Sequence, residues 1–206
     1  MTAPTSDSLE VLVRFSAVLA SRRDEEVESA LRAAAERGGT KAVEEVILQS
    51  YLFLGYPIAL NAMARWRAVS GARSPEQAAL DRDTWLERGE EVCGSVCRGQ
   101  YQRLRANVRR LHLDMERWMV EEGYGKMLGR PGLSLEEREL CIVAKLVVLD
   151  VPCHVHSHLR GALNVGATES AVEAALHVGL DYAEPPARRR ASQNRNSVSS
   201  RTGQER

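Results

Sequence analysis

The chain repeats itself, and this repeat restricts the fold more than any other feature of the sequence. A shift of 128 positions lays the first part of the chain on the second without gaps. The matched positions share glycine, threonine and proline as well as apolar residues: Leu31, Arg32, Ala34, Gly38, Thr40, Glu45, Leu48, Leu52 and Pro57 meet Leu159, Arg160, Ala162, Gly166, Thr168, Glu173, Leu176, Leu180 and Pro185. Each copy, about residues 9–57 and 137–185, has the pattern helix, helix, Gly-x-Thr turn, helix. We therefore expect two helical repeats that fold alike.

Helical signals dominate the remaining sequence too. Ser134 and Glu137 form a capping box, which predicts a helix to about Leu149 although the run CIVAKLVVL has the composition of a buried strand. Gly38 is typical of the left-handed residue after a helix end, and Thr40 is a candidate cap for the next helix. No segment shows convincing apolar–polar alternation between turn signals. The predicted fold class is all-α.

The middle of the chain is predicted to be helical as far as Glu122. Its apolar positions are expected to lie in the core: Trp85, Val92, Val96, Leu104, Val108, Leu111, Met115 and Trp118. The residues that follow, Gly123, Gly125 and Gly129 and then Arg130-Pro131-Gly132, are typical of a loop.

Composition and charge argue against several classes of protein. Lys plus Arg and Asp plus Glu both number 28 in 206 residues, so nothing in the net charge favours nucleic acid or an anionic membrane as a partner. No apolar run approaches the ~20 residues that a membrane span needs, and the N-terminus lacks a secretory pattern. The four cysteines lack the spacing of a small secreted domain, which indicates reduced thiols and a cytoplasmic location.

The domain organisation predicted from these patterns is simple. One helical domain occupies residues 1–186. The polar, Ser/Arg-rich segment 187–206 is expected to be a disordered tail, because its composition cannot bury enough apolar surface to become ordered.

Several motifs resemble a known family. Tyr124-Gly125, Arg130-Pro131-Gly132-Leu133, Arg138-Glu139-Leu140, the segment from Ser157 to Asn164, and Gly166-x-Thr168 are similar to the motifs of the carboxymuconolactone decarboxylase family. The likeness covers most of the chain and is strongest between Glu121 and Leu176. It implies an all-α, alkylhydroperoxidase-like helical fold that assembles as homotrimers or homohexamers.

The family has two branches, and the cysteine positions favour one of them. The peroxidase branch uses a glutamate, a Cys-x-x-Cys pair and a histidine four residues after the second cysteine. When that histidine is aligned on His158, the glutamate falls on Glu139, but Val151 and His154 occupy the cysteine positions. The chain therefore resembles the decarboxylase branch, which lacks these cysteines.

The resemblance implies a carboxy-lyase that acts on a small carboxylated lactone or related ring. Loss of carbon dioxide leaves electron density that must be stabilised and protonated, which requires cations and a group titrating near neutrality, without metal or organic cofactor. We expect His158 to deliver the proton, Glu139 to orient the His158 side chain, and Arg130 or Arg160 to bind the substrate carboxylates. Val11 and Ala30 occupy the equivalent places in the first repeat, so the site should occur once per chain.

Other interpretations stay open at this stage. His158 could be a structural histidine satisfied by a carboxylate, or it could bind a metal together with His154 and Glu139. Cys93 and Cys97 are four apart on a predicted helix and are interpreted as half-buried thiols rather than a disulfide. For the whole chain, the alternatives are a peroxiredoxin-type or alkylhydroperoxidase-type antioxidant and a non-enzymatic oligomeric binding protein.

Overall fold

The computed structural model describes residues 6–76 and 82–188, and these ranges are helical without a β-strand. The all-α prediction is confirmed. The elements in chain order are α1 (Ser6–Ser21), α2 (Asp24–Arg37), α3 (Thr40–Leu54), α4 (Tyr56–Ser70), α5 (Trp85–Cys97), α6 (Tyr101–Leu111), α7 (Leu113–Trp118), a π-helix (Met119–Leu128), α8 (Leu135–Val148), α9 (Pro152–Asn164) and α10 (Glu169–Tyr182). No described helix combines the length and apolarity needed to cross a bilayer.

The helix bounds follow the sequence repeat closely. A shift of 128 carries α1, α2 and α3 onto 134–149, 152–165 and 168–182, which lie within one residue of α8, α9 and α10. The turn after the first helix also matches, because Arg22 and the equivalent Asp150 both adopt φ 57°. A positive φ is uncommon for residues other than glycine, so its recurrence shows that the two copies follow the same backbone path.

Helix α8 lies at the centre of the molecule. Each residue from Glu137 to Val147 is buried, and α1, α9 and α10 pack around the helix. The predicted capping box is present: Ser134 Oγ accepts a hydrogen bond from the Glu137 backbone at 3.1 Å, and a Glu137 carboxylate oxygen accepts one from the Ser134 backbone at 2.6 Å. A helix buried on all sides exposes no polar face, so every charged side chain on α8 must find a partner inside the protein.

The predicted loop begins later than expected. Gly123 and Gly125 lie in the π-helix, which packs against α5, whereas residues 129–134, from Gly129 through Arg130-Pro131-Gly132, lie between helices as predicted. A Cβ on Gly125 would come within 1.9 Å of the Trp85 carbonyl oxygen, and a Cβ on Gly89 within 2.1 Å of the Val120 carbonyl oxygen. These glycines let two helical backbones touch, a requirement that the sequence alone does not distinguish from a turn.

The turn between α2 and α3 corrects two further expectations. Gly38 has φ −84°, and the left-handed residue is Gly39 at φ 81°. Gly38 is needed for space instead, since a Cβ there would lie 2.7 Å from the Ala34 carbonyl oxygen and 2.9 Å from the Leu12 side chain. Gly39 is also the N-cap of α3, so Thr40 is the first helical residue and makes no capping hydrogen bond.

Three apolar residues predicted to be core are exposed in the single chain. The exposed fractions are 82% for Leu111, 53% for Met115 and 53% for Trp118. They lie on α6 and α7, where helical spacing correctly indicates an amphipathic face but not what covers it. At the other end of the chain, Ala187 is buried and Arg188 donates to the Ala183 carbonyl, whereas residues 189–206 of the predicted tail lie outside the described residues.

Candidate functional site: a buried carboxylate and a histidine beside a cavity

Glu139 lies on the central helix and has no contact with solvent. Its side chain is fully buried, and one carboxylate oxygen, Oε1, has no hydrogen-bond partner in the structure. An unpartnered buried carboxylate oxygen costs free energy, so a protein retains it where the charge has a use. Glu139 is therefore a candidate functional residue.

The other oxygen of Glu139 is bound by His158 of α9. His158 Nδ1 lies 2.7 Å from Glu139 Oε2, so the contact predicted from the sequence is confirmed. With a carboxylate as acceptor, Nδ1 is the donor, which leaves Nε2 as the atom that exchanges protons with a ligand. Burial opposes the charged ring, but the charge and hydrogen bond of Glu139 outweigh it and raise the pKa of His158 above its ordinary value.

Gly161 allows these two helices to approach each other. A Cβ at this position would lie 2.9 Å from Glu139 Oε2 and 2.8 Å from a methyl group of Val96 on α5. The first repeat has Ala33 at the equivalent position, where no carboxylate needs the space. The glycine thus belongs to the site and is not required by the repeat.

A cavity of about 420 Å³ opens beside His158, between α5, α6 and α9. Arg160, predicted to lie at the edge of the site, lines this cavity, and so does Arg103. Both arginines are exposed, and no carboxylate partner is recorded for either among the described residues. The cavity therefore offers a proton-exchanging imidazole together with two guanidinium groups that can bind an anion.

Arg130, the other predicted substrate ligand, does not line the cavity. Its guanidinium binds both carboxylate oxygens of Glu45, at 2.9–3.2 Å, and Glu45 also accepts a hydrogen bond from the buried Arg138 at 2.8 Å. The positive charge of Arg130 is already used to neutralise a buried carboxylate. Its contacts indicate a structural role, and the predicted role in substrate binding has no support in them.

Two cysteines and a tyrosine belong to the site but were not predicted for it. Cys97 and Tyr124 line the cavity, with the Cys97 sulfur 3.6 Å from the Tyr124 hydroxyl and 3.9 Å from the sulfur of the buried Cys93. The sequence shows the four-residue spacing of the cysteines and the Tyr-Gly motif, but it does not show that α5 packs against α9. Arg103 has no signal in the sequence that separates it from other surface arginines.

A metal site at His154, His158 and Glu139 would need all three side chains to converge. Glu139 and His158 meet, whereas His154, the third proposed ligand, is exposed. Among residues 6–76 and 82–188, no group of three or more His, Cys, Asp or Glu side chains is placed to hold a metal ion.

The chain is similar to two known proteins. Two relatives share the name Peroxisomal protein 2. The one from Schizosaccharomyces pombe is 26% identical over 184 residues, which cover 84% of each chain. The one from Saccharomyces cerevisiae is 26% identical over 164 residues, which cover 66% of this chain and 58% of that protein.

The family match falls on the part of the chain that holds the site. It spans residues 114–193, which include Tyr124, Glu139, His158 and Arg160, whereas Cys97 and Arg103 on α5 and α6 lie before it. The resemblance seen in the sequence is thereby confirmed: residues 114–193 match the carboxymuconolactone decarboxylase family.

Proposed function

We propose that the chain is a cofactor-independent enzyme of the decarboxylase type, acting on a small carboxylated lactone or related ring. The observation that carries the proposal is the 2.7 Å contact between His158 and a fully buried carboxylate, at the wall of a cavity lined by Arg103 and Arg160, neither of which pairs with a carboxylate within residues 6–76 and 82–188. This arrangement supplies a proton and binds anions, which are the two requirements of the reaction.

In the proposed reaction, the carbon–carboxylate bond of the substrate breaks and carbon dioxide leaves. The electron pair stays on the substrate carbon, where it is conjugated to the lactone carbonyl. His158 Nε2–H donates its proton to that carbon, and the neutral ring recovers a proton from water. Glu139 holds the ring in position and stabilises its charged form, while Arg103 and Arg160 bind carboxylates at the cavity rim.

The experiment is carbon dioxide release from carboxymuconolactone by the full chain and its variants. We expect His158→Ala and Glu139→Gln to lower kcat by about 10²–10⁴, the usual contribution of a positioned acid–base group. His154→Ala is the matched control, since it removes an exposed histidine from the same helix. A His158→Ala variant that works at the parent rate would contradict the proposal.

A second measurement needs no substrate. The proton resonances of His158, followed by NMR against pH, should show a pKa above the ordinary histidine value in the parent chain. In Glu139→Gln the pKa should fall, because the amide has no charge to hold the proton while burial still disfavours the imidazolium. An unchanged pKa in the variant would mean that Glu139 does not tune the histidine.

We also propose that the chain forms a homo-oligomer, with the trimer or hexamer of the resembled family as the expected states. The exposed apolar residues on α6 and α7 support this, because a monomer leaves Leu111 82% exposed and Trp118 53% exposed. Sedimentation of the parent chain and of Leu111→Glu tests it. A monomeric parent at micromolar concentration would contradict the proposal.

The cytoplasmic location stays a prediction. The shared name of the two relatives favours a peroxisomal location as the alternative. Fluorescence imaging of the chain tagged at its N-terminus, in its own host, distinguishes the two.

A further inference from the structure

Two cysteine side chains lie at the cavity that is lined by His158. Cys97 lines the cavity, and Cys93 lies one helical turn earlier on α5, fully buried, with its sulfur 3.9 Å from that of Cys97. Neither residue occupies a position where the resemblance would place a cysteine, since those positions are Val151 and His154 near the start of α9. The pair therefore needs an explanation of its own.

The surroundings of the two thiols differ, and the difference assigns them separate roles. The hydrogen bond from Cys93, aided by that of the Tyr124 hydroxyl and the charge of His158, lowers the pKa of Cys97 to about 7. The same hydrogen bond, together with burial, raises the pKa of Cys93. At neutral pH a large share of Cys97 is thiolate and faces the cavity, whereas Cys93 keeps its proton behind it.

We propose that Cys97 and Cys93 form a redox-active dithiol that reduces a small disulfide bearing carboxylate groups. The inference does not rest on the proposed decarboxylation, because it uses different atoms of the same cavity.

The exchange proceeds in two steps. The Cys97 thiolate attacks one sulfur of the bound disulfide, the disulfide bond breaks, and the first leaving thiolate takes a proton from His158. Cys93 then attacks the Cys97 sulfur, its proton passes to the second leaving thiolate, and the products are the second thiol and a Cys93–Cys97 disulfide. The small disulfide is reduced to two thiols, the protein dithiol is oxidised, and an external dithiol restores the reduced pair.

The carboxylates of the substrate are inferred from the cavity rim. Arg103 and Arg160 lie there without recorded carboxylate partners in the described chain, and the volume of about 420 Å³ accommodates a small organic molecule rather than a folded protein. Guanidinium groups bind carboxylates bidentately, so two of them can hold the two ends of an acidic disulfide near the Cys97 sulfur.

The end of α5 permits the disulfide to form. Cys97 is the last residue of the helix, and Arg98 after it adopts φ 46°. Closing the bond requires the sulfurs to move about 2 Å closer than they are, since a disulfide bond measures about 2.05 Å. A cysteine at a helix terminus can make that movement by opening the last turn, whereas one in the middle of a helix cannot.

The experiment uses the full chain with Cys153→Ser, so that the exposed cysteine does not react. The reduced protein is mixed with oxidised glutathione, and glutathione release and the modified peptides are followed by mass spectrometry. We expect a Cys93–Cys97 disulfide in the parent. Cys93→Ser should stop at a mixed disulfide between Cys97 and glutathione, and Cys97→Ser should release no glutathione above a chain lacking all four cysteines.

The rim arginines provide the control for substrate class. Arg103→Gln and Arg160→Gln should each slow the reaction with oxidised glutathione by about tenfold, the loss expected for one carboxylate contact, and leave the reaction with uncharged hydroxyethyl disulfide unchanged. Equal slowing with both reagents would overturn the inference about carboxylates. Release at the parent rate from Cys97→Ser, or no adduct on Cys97 in Cys93→Ser with folding shown by circular dichroism, would overturn the dithiol. Neither readout involves carbon dioxide, so failure here and failure of decarboxylation are distinguished.

Discussion

The two repeats follow one backbone path but bury different side chains. At the positions of Glu139 and His158, the first repeat has Val11 and Ala30, and at the position of the buried Lys145 it has Ala17. The second repeat thus keeps charges inside the molecule where the first keeps only apolar groups. Since the helices of the two copies agree within one residue, the fold tolerates either set, and the buried charges of α8 need a reason other than the fold.

The reverse contrast occurs at Glu45 and Glu173, which are equivalent by the same shift. Glu45 is buried and bridges Arg130 and the fully buried Arg138, whereas Glu173 is half-buried. Glu45 of the first repeat thus neutralises a charge on the central helix of the second. The ion pairs of Glu45 therefore link the first repeat to the second, and none of their residues lines the cavity.

The largest effect on stability should therefore come from Glu45→Ala. It leaves Arg138 buried without its carboxylate, which costs roughly 3–5 kcal/mol, while Glu173→Ala should cost less than about 1 kcal/mol. Urea denaturation of both variants measures the difference. Equal losses would mean that the ion pair on α8 is not the source of the asymmetry.

The next effect concerns Lys145, whose ammonium group donates to Ser50 Oγ at 2.7 Å and faces the Phe53 ring. Burial lowers the pKa of Lys145 from 10.5 to about 7. Between these values the unfolded chain binds the proton that the folded chain has lost, so stability rises with pH across this window, and the penalty of the buried charge is full below about pH 7.

Lys145→Met should remove this dependence. Between pH 7 and pH 9 the stability of the parent should rise by roughly 2–3 kcal/mol relative to that of the variant, because each pKa unit corresponds to about 1.36 kcal/mol. The lost hydrogen bond to Ser50 shifts the whole curve without changing its slope. Chemical denaturation at several pH values tests this, and a constant difference between parent and variant would show that the lysine does not titrate in this range.

A smaller effect is expected from exchanging Gly161 and Ala33, the equivalent positions on α9 and α2. Gly161→Ala should cost about 1–3 kcal/mol through overpacking against Glu139 and Val96, and it should lower the NMR-measured pKa of His158 by moving the carboxylate away. Ala33→Gly should cost at most about 1 kcal/mol, from helix propensity alone. A Gly161→Ala variant with unchanged stability and unchanged His158 pKa would show that the close approach is not needed.

The parts of the structure that the sequence predicted are those encoded locally. Helix caps such as Ser134–Glu137 are patterns of neighbouring residues, and the repeat is visible in the sequence itself, so the helices of both copies could be placed. The Glu139–His158 contact could also be predicted, because α8 and α9 are consecutive helices that pack against each other. Cys97 was missed as a site residue because its position depends on packing between α5 and α9, which are far apart in sequence.

Other features that the sequence alone does not settle have the same physical origin. A glycine at position 125 is compatible both with a loop and with close packing of two helices. The contact of Gly125 with the Trp85 backbone shows that it allows close packing. The amphipathic spacing of Leu111 identifies an apolar face without showing whether the chain itself covers it. Arg130 matches the family motif, but its pairing with Glu45 depends on where α3 lies. For Gly125 and Arg130 the neighbour that determines the role is distant in sequence.

The smallest expected effect concerns the two threonines that occupy equivalent positions at the start of α3 and α10. Thr168 is a true N-cap, since its Oγ1 accepts a hydrogen bond from the Ala171 backbone at 3.1 Å, whereas Thr40 already lies inside α3 and makes no such bond. Thr168→Ala should therefore cost about 1 kcal/mol and Thr40→Ala close to nothing. Thermal unfolding of the two variants is the measurement. Because the sequence signal Gly-x-Thr is the same in both copies, equal losses would mean that Thr40 caps its helix in solution and that the repeats are more alike than their turns indicate.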